Sequence, residues 1–551
     1  MPSNLRARLL AGSLLSAVAA GALTFTSPST ADAFCGFYVA GADSELTNAA
    51  TMVVLMRDGT RTVLSMQNNY QGPPQDFAMI VPVPVVLEKD DVKVLPDEVF
   101  DRVDKLAAPR LVEYWEQDPC QPWNAYPTMS PPSPVDESAT GTKPEPRDLG
   151  VTIEAKFEVG EYQVVILSAK DSTGLDTWLK LENYSIPAGA EPLLRPYVQS
   201  GSKFFVAKID AKKVKFDQDG RAKLSPLRFH YDSPEFALPV RLGLINAPDG
   251  KGGKQDLIVH ILARGVRYAT ANYENVAIPT NLDVKNETRE HFGEFYASLF
   301  DHVLANNPKA VVTEYAWAAN SCDPCPEPPM TLEELVTLGA DVLPSYSQLF
   351  GSNQKISEDY QWTIPSEFVL TRLHARYDSS SLGEDLIFEA APAIVGGREF
   401  MQQDGQLERG AVEEPSGYNN FQARYVIRHA WEGPIECTEP QRGIWGGPWA
   451  DVQNANSQPA VARDLAFAPR GAQLESYVTE SAKMEIEHTV GKLPEGPIEP
   501  PPPDPKTPGI VGYGGEGCAH CSVEDAGAGG ALAFGLGLLG LLGLRRRARK
   551  D

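Results

Sequence analysis

The chain has 551 residues, 42% of them hydrophobic, and a formal net charge of -24 at pH 7. This length allows roughly two to four domains with sizeable cores. The excess of carboxylates argues against nucleic-acid binding, because an acidic protein repels the phosphate backbone.

Residues 1–33 have the layout of a signal peptide. Basic residues precede a long apolar stretch, and a small-residue motif ends at Ala33. We expect cleavage between Ala33 and Phe34. Cys35 raises the alternative of a lipoprotein, but Phe34 stands where lipidation needs a small residue. The sequence therefore predicts an exported protein.

Residues 34–120 are predicted to form a β-rich N-terminal domain. Two strand-like runs flank an Asp-Gly pair, which is a hairpin turn signal. The run 77–86 contains two prolines, which lack the amide donor of a ladder, so it predicts an edge strand or an extended arm. Residues 96–116 follow a helical pattern, and we expect Pro109 to divide that helix.

Residues 121–148 are rich in proline, serine and threonine and are predicted to be a linker. We expect residues 149–392 to form a central α+β domain. A capping box at Thr331 and Glu334 predicts a helix that ends at Gly339. Other helices are expected at 173–183 and 292–305, and strands at 151–157, 162–169, 204–215, 227–231, 240–246, 256–263, 310–318, 368–377 and 385–391.

The spacing of these strands suits antiparallel sheets, which could pack as a sandwich. The predicted fold class is therefore α+β, mainly antiparallel β-sheets with helical insertions, plus one C-terminal transmembrane helix.

Residues 393–492 alternate short polar and aromatic segments and predict a β-rich or irregular region. Trp431, Trp445 and Trp449 lie there. They are candidates for an exposed binding patch, although core packing is the commoner fate of tryptophan. Residues 493–517 are rich in proline and glycine and predict a stiff polyproline stalk that holds the ectodomain off the membrane.

Residues 518–551 have the composition of a membrane-inserting tail. The uncharged run 526–544 is about 28 Å long as a helix, which matches one bilayer core. The basic residues 545–550 should stay in the cytoplasm, so the preceding chain lies outside. The alternative is a buried core helix.

Two cysteines, Cys518 and Cys521, precede this glycine-rich span and terminal arginine cluster. The layout resembles the MYXO-CTERM sorting tail. The resemblance implies a surface protein that a dedicated membrane peptidase cuts near one of these cysteines. Cys521 lies nearer the span and is the preferred anchoring residue, with Cys518 as the alternative.

Five other cysteines are candidates for disulfides, which are the default in an oxidising compartment: Cys35, Cys120, Cys322, Cys325 and Cys437. An odd number leaves one thiol free, or paired with the tail or another chain. We predict a Cys35–Cys120 disulfide. Cys437 would close the second domain with Cys322 or Cys325, and the sequence does not fix the connectivity.

Cys322-Asp-Pro-Cys325 is the one compact motif with chemical potential. A redox dithiol needs a helix N-terminus to lower the thiol pKa, and the following prolines delay the helix. A zinc site needs two more ligands, and neither a second Cys-x-x-Cys nor a His pair lies near. We therefore favour a structural disulfide that locks a turn or reaches Cys437, and we predict no cofactor, metal ligand or catalytic residue.

Arg372-Leu-His374-Ala-Arg376 places three basic groups on one face of a predicted strand. Such a face could bind an anion. The alternative is a solvated face that pairs with the many carboxylates.

Several motifs of the ectodomain occur in the same order as in the bacterial family called domain of unknown function 2330: residues 35–38, 77–84, 178–179, 183–187, 204–208, 238–242, 322–325 and 370–374. The resemblance covers about residues 34–392. It implies an exported or surface location. It implies no activity, because the family has no assigned catalytic residues.

Taken together, these patterns favour a non-enzymatic ectodomain at the cell surface or envelope that binds a surface or envelope partner. The alternative is an exported hydrolase whose acid and base groups come from separate loops. A buried Asp or Glu pair beside a His in one cleft would favour the enzyme. An exposed aromatic or edge-strand patch would favour the binder.

Overall fold

The structure is a computed structural model. It describes residues 37–39, 50–67, 78–120, 151–182, 190–210, 212–216, 222–246, 254–351, 356–378, 381, 383–398, 408–448, 459–461, 470–489, 493–494 and 496–506. The predicted signal peptide, the linker, the tail, Ala33, Phe34, Cys35, Cys518 and Cys521 lie outside these residues. Within them, no helix is both long and apolar enough to cross a membrane.

The described helices are α1 (Glu98–Ala107), α2 (Ser172–Leu181), α3 (Ala190–Gln199), α4 (Phe292–Asn306), α5 (Leu332–Leu338), α6 (Ser347–Phe350), α7 (Tyr360–Glu367) and α8 (Glu480–Thr489). The first strands are β1 (Phe37–Val39), β2 (Ala50–Asp58), β3 (Arg61–Met66), β4 (Ala78–Val83), β5 (Val92–Val94), β6 (Arg110–Glu116), β7 (Val151–Val159), β8 (Tyr162–Ala169), β9 (Lys203–Ile209), β10 (Lys215–Phe216), β11 (Ala222–Lys223), β12 (Leu227–Asp232) and β13 (Ala237–Leu238).

The remaining strands are β14 (Gln255–Arg264), β15 (Arg267–Thr270), β16 (Asn275–Ala277), β17 (Leu282–Asp283), β18 (Val311–Ala318), β19 (Phe368–Tyr377), β20 (Leu386–Ala391), β21 (Ile394–Gly396), β22 (Val412–Glu413), β23 (Asn420–Gln422), β24 (Arg424–His429), β25 (Trp445–Gly446) and β26 (Ala460–Val461).

The largest sheet has the order β22-β21-β23-β18-β19-β14-β2-β3-β12-β5, with β16 beside β18. Most of its pairs are antiparallel, whereas β2 and β14 run parallel. Nine of the ten residues of β14 are buried, as expected for a strand that is covered on both faces. The α+β prediction with mainly antiparallel sheets is thus confirmed for the described chain.

A second sheet, β1-β4-β9-β8-β7, packs against the first and shares its hydrophobic core. Alternation along each strand explains the layers. In β4, Met79 and Val81 enter this shared core, whereas Ala78 and Ile80 pack on α2 and α3. In the large sheet, residues such as Val54 face α1, α5 and α7 instead. The order of layers is helices, sheet, sheet, helices.

Strands from the three predicted regions, 34–120, 149–392 and 393–492, pair within the large sheet. The predicted boundaries therefore mark segments of the sequence and do not separate its sheets. A third sheet, β17-β24-β6-β25 with β26 beside β6, also combines strands from all three regions.

Three local predictions were wrong. Residues 96–116 do not form a divided helix: α1 ends at Ala107, and β6 follows Pro109 and pairs with β24. The predicted strand at 240–246 is a 3₁₀ helix, Arg241–Asn246. The proline-containing strand β4 lies between β1 and β9, where β1 pairs with residues 78–80 and stops short of Pro82.

The predicted Cys35–Cys120 disulfide is also wrong, because Cys120 is bonded to Cys437. This bond joins the end of β6 to the loop after β24, two strands that already pair. Cys322 and Cys325 are bonded to each other, which selects the structural disulfide within the turn.

The first half of the predicted stalk lies against the folded body. The Ile498 backbone N–H donates to the carbonyl of Ala390 (3.0 Å), and the Lys506 N–H donates to the carbonyl of Ser345 (2.7 Å). Pro503 contacts the turn at Gly59, where an added Cβ would meet its ring at 3.0 Å. We call residues 496–506 the docked segment, since these bonds make it part of the body.

The Ser345 hydroxyl accepts hydrogen bonds from the Asp504 N–H (3.2 Å) and from Arg264 (2.9 Å). We predict that Ser345→Ala loosens the docked segment at a cost of about 1–2 kcal/mol. Limited proteolysis of the native protein should cut residues 496–506 faster. Ser347→Ala, which loses one local bond to Pro344, is the control, and equal cleavage rates in both variants would contradict this role.

Candidate functional site

A cluster of charged side chains lies inside the protein, on the helix-covered face of the large sheet. In β19, Leu373 and Ala375 enter the core between the sheets, so the intervening residues point the other way. We call the group the ionic cluster. Its members are Asp104 on α1, Asp256 on β14, Asp301 on α4, Glu314 on β18, Arg372, His374 and Arg376 on β19, and Arg470.

His374 is the centre of the ionic cluster and is 1% exposed. Its Nδ1 lies 2.7 Å from Glu314 Oε1, and its Nε2 lies 3.0 Å from Asp256 Oδ1. Two carboxylate partners require both ring nitrogens to donate, so the imidazole is cationic. Phe300 stacks on the ring with centroids 3.9 Å apart, which excludes water from this side.

Glu314 receives three donors although it is fully buried. Arg372 Nε donates to Oε2 (2.6 Å), while Tyr296 Oη (2.5 Å) and His374 donate to Oε1. The register between β18 and β19 shifts between Thr313 and Tyr315. Glu314 is thus the extra residue of a β-bulge, a device that re-aims a side chain.

The pKa shifts follow from these contacts. Burial alone raises the pKa of Glu314, but the charges of His374 and Arg372 outweigh it and lower the pKa to about 2. Burial opposes protonation of His374, yet Glu314 and Asp256 raise its pKa. Burial, reinforced by Arg372, lowers the pKa of the neighbouring His260 well below its usual value, so that ring is neutral.

Four cationic and four carboxylate side chains therefore pair in one network. The sequence alternatives for Arg372 and His374 were an anion-binding face or a solvated face that pairs with carboxylates. The pairing with carboxylates is confirmed, whereas the anion-binding face and the solvation are wrong for these two residues, because both are buried. The pair Glu314 and Asp256 beside His374 has the composition expected of an acid-base site, but all three side chains are at most 2% exposed.

A small pocket opens at the outer end of the ionic cluster. It is lined by Lys254, Asp301, Leu304, Ala305 and Arg376, and its volume is about 250 Å³. Arg376 was the third basic residue of the strand motif, and it is the one that reaches accessible space.

The second candidate site is the loop 430–448, which the Cys120–Cys437 disulfide ties to the end of β6. The buried carboxylate of Glu116 holds the loop. It accepts bonds from the backbone N–H groups of Gly443 (2.7 Å) and Trp431 (3.0 Å), and from Nε (2.8 Å) and Nη2 (2.7 Å) of Arg442. The bonds from Arg442 outweigh burial and lower the pKa of Glu116 to about 2.

We call residues 430–448 the aromatic loop. It presents apolar side chains at the surface. Trp431 and Trp445 are half-buried, and Ile435 is 43% exposed. The Arg428 guanidinium lies 5.0 Å from the ring centroid of Trp445, a cation–π contact that fixes the indole. The third candidate, Trp449, lies outside the described residues.

Sequence reasoning identified the tryptophans and the β19 motif but missed the carboxylates that organise both sites. Glu314 is a single acidic residue within a strand pattern, and Glu116 ends a segment predicted to be helical, so no local signal separates either residue from solvated ones. Cys322 and Cys325 lie outside both sites. In the described parts of the chain, no group of three or more His, Cys, Asp or Glu side chains is arranged to hold a metal ion.

The ionic cluster predicts how stability changes with pH. The lowered pKa of Glu314 contributes stability above its unfolded value of about 4.5, and this contribution, about 3 kcal/mol, is lost as the pH falls toward 2. The raised pKa of His374 contributes stability below about 6.5, which is lost as the pH rises through its folded value.

We therefore expect thermal unfolding midpoints to fall on both sides of a maximum between about pH 4.5 and 6.5. His374→Gln should lower stability and remove the alkaline decline, because glutamine does not titrate. His302→Gln, on the outer face of α4, should keep both declines. An alkaline decline of the same size in His374→Gln would show that His374 does not cause it.

Comparison with known proteins gives a match to a family model over residues 29–389, and that family is described as "Uncharacterized protein conserved in bacteria (DUF2330)". Neither a curated protein nor a solved structure matches the chain.

Proposed function

The chain belongs to the DUF2330 family of proteins conserved in bacteria, and from this premise we propose that it is an exported, surface-anchored binding ectodomain rather than an enzyme. The observation that carries the proposal is the aromatic loop, which is exposed yet held in one conformation. Its partner is another protein of the cell surface or envelope.

The physics of recognition supports this assignment. Tryptophan contributes a large share of binding energy at protein interfaces. A surface that is rigid before binding loses less entropy when it binds. Trp431 and Trp445 meet both conditions, because Glu116, the disulfide and the pairing of β25 with β6 fix the loop that carries them.

The exported hydrolase is the alternative. It rests on the composition of Glu314, Asp256 and His374, which matches a general acid–base set. We favour it less because both nitrogens of His374 are already bonded to carboxylates, and each carboxylate also binds an arginine. A general base needs an available lone pair within reach of a substrate.

We further propose that the N-terminal signal directs export and that the tail anchors the protein. The two disulfides of the described chain support an oxidising compartment. The apolar span 526–544 and the basic residues after it supply membrane insertion and orientation. A tail-processing membrane peptidase then acts near Cys521.

The binding role predicts a position-specific contact in living cells. A photo-crosslinking residue at Ile435 should join the protein to one defined partner, and Glu116→Gln should weaken that product roughly tenfold by loosening the loop. A crosslinker at Leu181, which is 59% exposed on α2, is the control. The same products from both positions would contradict a specific binding loop.

The anchoring role predicts that Cys521→Ala leaves an uncut chain, heavier by the 30 residues after position 521, that still faces outward. Orientation should persist because it depends on the basic cluster and not on the thiol. Intact mass and protease sensitivity on whole cells measure both properties, and Cys518→Ala is the matched variant. If both variants are processed like the parent, the tail is a plain membrane anchor and the proposed cleavage near Cys521 is wrong.

A further inference from the structure

The pocket beside the ionic cluster joins features of different chemistry around one small space. Arg376 and Lys254 form its cationic side, Leu304 and Ala305 its apolar side, and Asp301 adds one carboxylate. Arg376 lies on β19, and Asp301, Leu304 and Ala305 lie on α4. Lys254 directly precedes β14. Packed secondary structure therefore holds most of the wall.

The cationic side combines Arg376, which the ionic cluster pairs with Asp256, with Lys254, whose charge lies outside that balanced cluster. Arg376 Nη1 donates to Asp256 Oδ2, but that carboxylate also receives His374 and Arg470. Lys254 is exposed, and no carboxylate in the described part of the chain pairs with it. Burial lowers the pKa of Arg376, and Asp256 offsets this only in part. An anion in the pocket would therefore be stabilised by both cations.

The other walls restrict which anion fits. A volume of about 250 Å³ suits a small molecule. The Asp301 carboxylate, bound to Arg470 at 2.6 Å, is 41% exposed in its side chain and repels a second negative charge. The apolar side chains of Leu304 and Ala305 favour a ligand with a short hydrocarbon part.

We propose that this pocket binds a small monocarboxylate, with its carboxylate between Lys254 and Arg376 and its hydrocarbon part on Leu304 and Ala305. The site is separate from the aromatic loop and independent of the protein partner proposed for that loop. It uses the one residue of the Arg-Leu-His-Ala-Arg motif that the network leaves accessible.

The test is isothermal titration of the full-length chain in detergent with sodium formate, acetate, propionate and butyrate at constant ionic strength. Each added methylene should tighten binding about fourfold until the apolar wall is covered. Inorganic phosphate should bind more weakly than butyrate. Asp301→Asn should reduce the difference in affinity between butyrate and phosphate. It removes the negative charge that repels phosphate, and the asparagine amide oxygen still accepts a hydrogen bond from Arg470.

Lys254→Gln should weaken butyrate binding at least about tenfold, because a charge-assisted bond is lost. It should not change the fold, because Lys254 is exposed. Lys212→Gln, another exposed lysine, is the matched control and should bind like the parent. The proposal is overturned if butyrate binds no better than chloride at equal ionic strength, or if Lys254→Gln and Lys212→Gln bind alike.

Discussion

The bond network of the Glu314 carboxylate is the constraint on which the interior depends. Through Arg372 and His374 it connects β18 to β19, and through Tyr296 it fixes α4. Arg372 extends the network to Asp104 on α1. One buried carboxylate therefore sets where two helices lie on the central strands.

Such a network is stable only when it is complete. Removing a charge from water costs several kcal/mol, and pairing offsets this cost only with good geometry and satisfied hydrogen bonds. In the ionic cluster, opposite charges are equal in number, and Arg470 links Asp256 to Asp301. A register slip of β19 by one residue would carry His374 and Arg372 into the apolar core between the sheets, so the network also selects the register.

Sequence reasoning succeeded where the determining forces are local. The ends of β19 were predicted as found, and the capping box at Thr331 and Glu334 opens α5. It failed where pairing with a strand far away in the sequence determines the local structure. Residues 110–116 form a strand because they pair with β24, more than 300 positions away, and the same pairing brings Cys120 to Cys437.

The ionic cluster escaped prediction for a related reason. Charged residues at alternate positions of a strand usually indicate a solvated face, and the pattern shows which residues share a face without showing what covers it. Here α1 and α4 cover that face, and the compensating carboxylates come from positions 104, 256 and 314. Only the assembled fold brings these groups to one place.

The docked segment shortens the distance that the proline-rich connection before Cys521 can span. A free stalk from Leu493 to Cys521 would reach about 95 Å at about 3.4 Å per residue. Contacts of residues 498–506 with Ala390, Ser345 and Glu367 instead hold this part of the connection against the body. Residues 507–521 span at most about 50 Å when fully extended, so the docked contacts shorten the reach of the connection by about half.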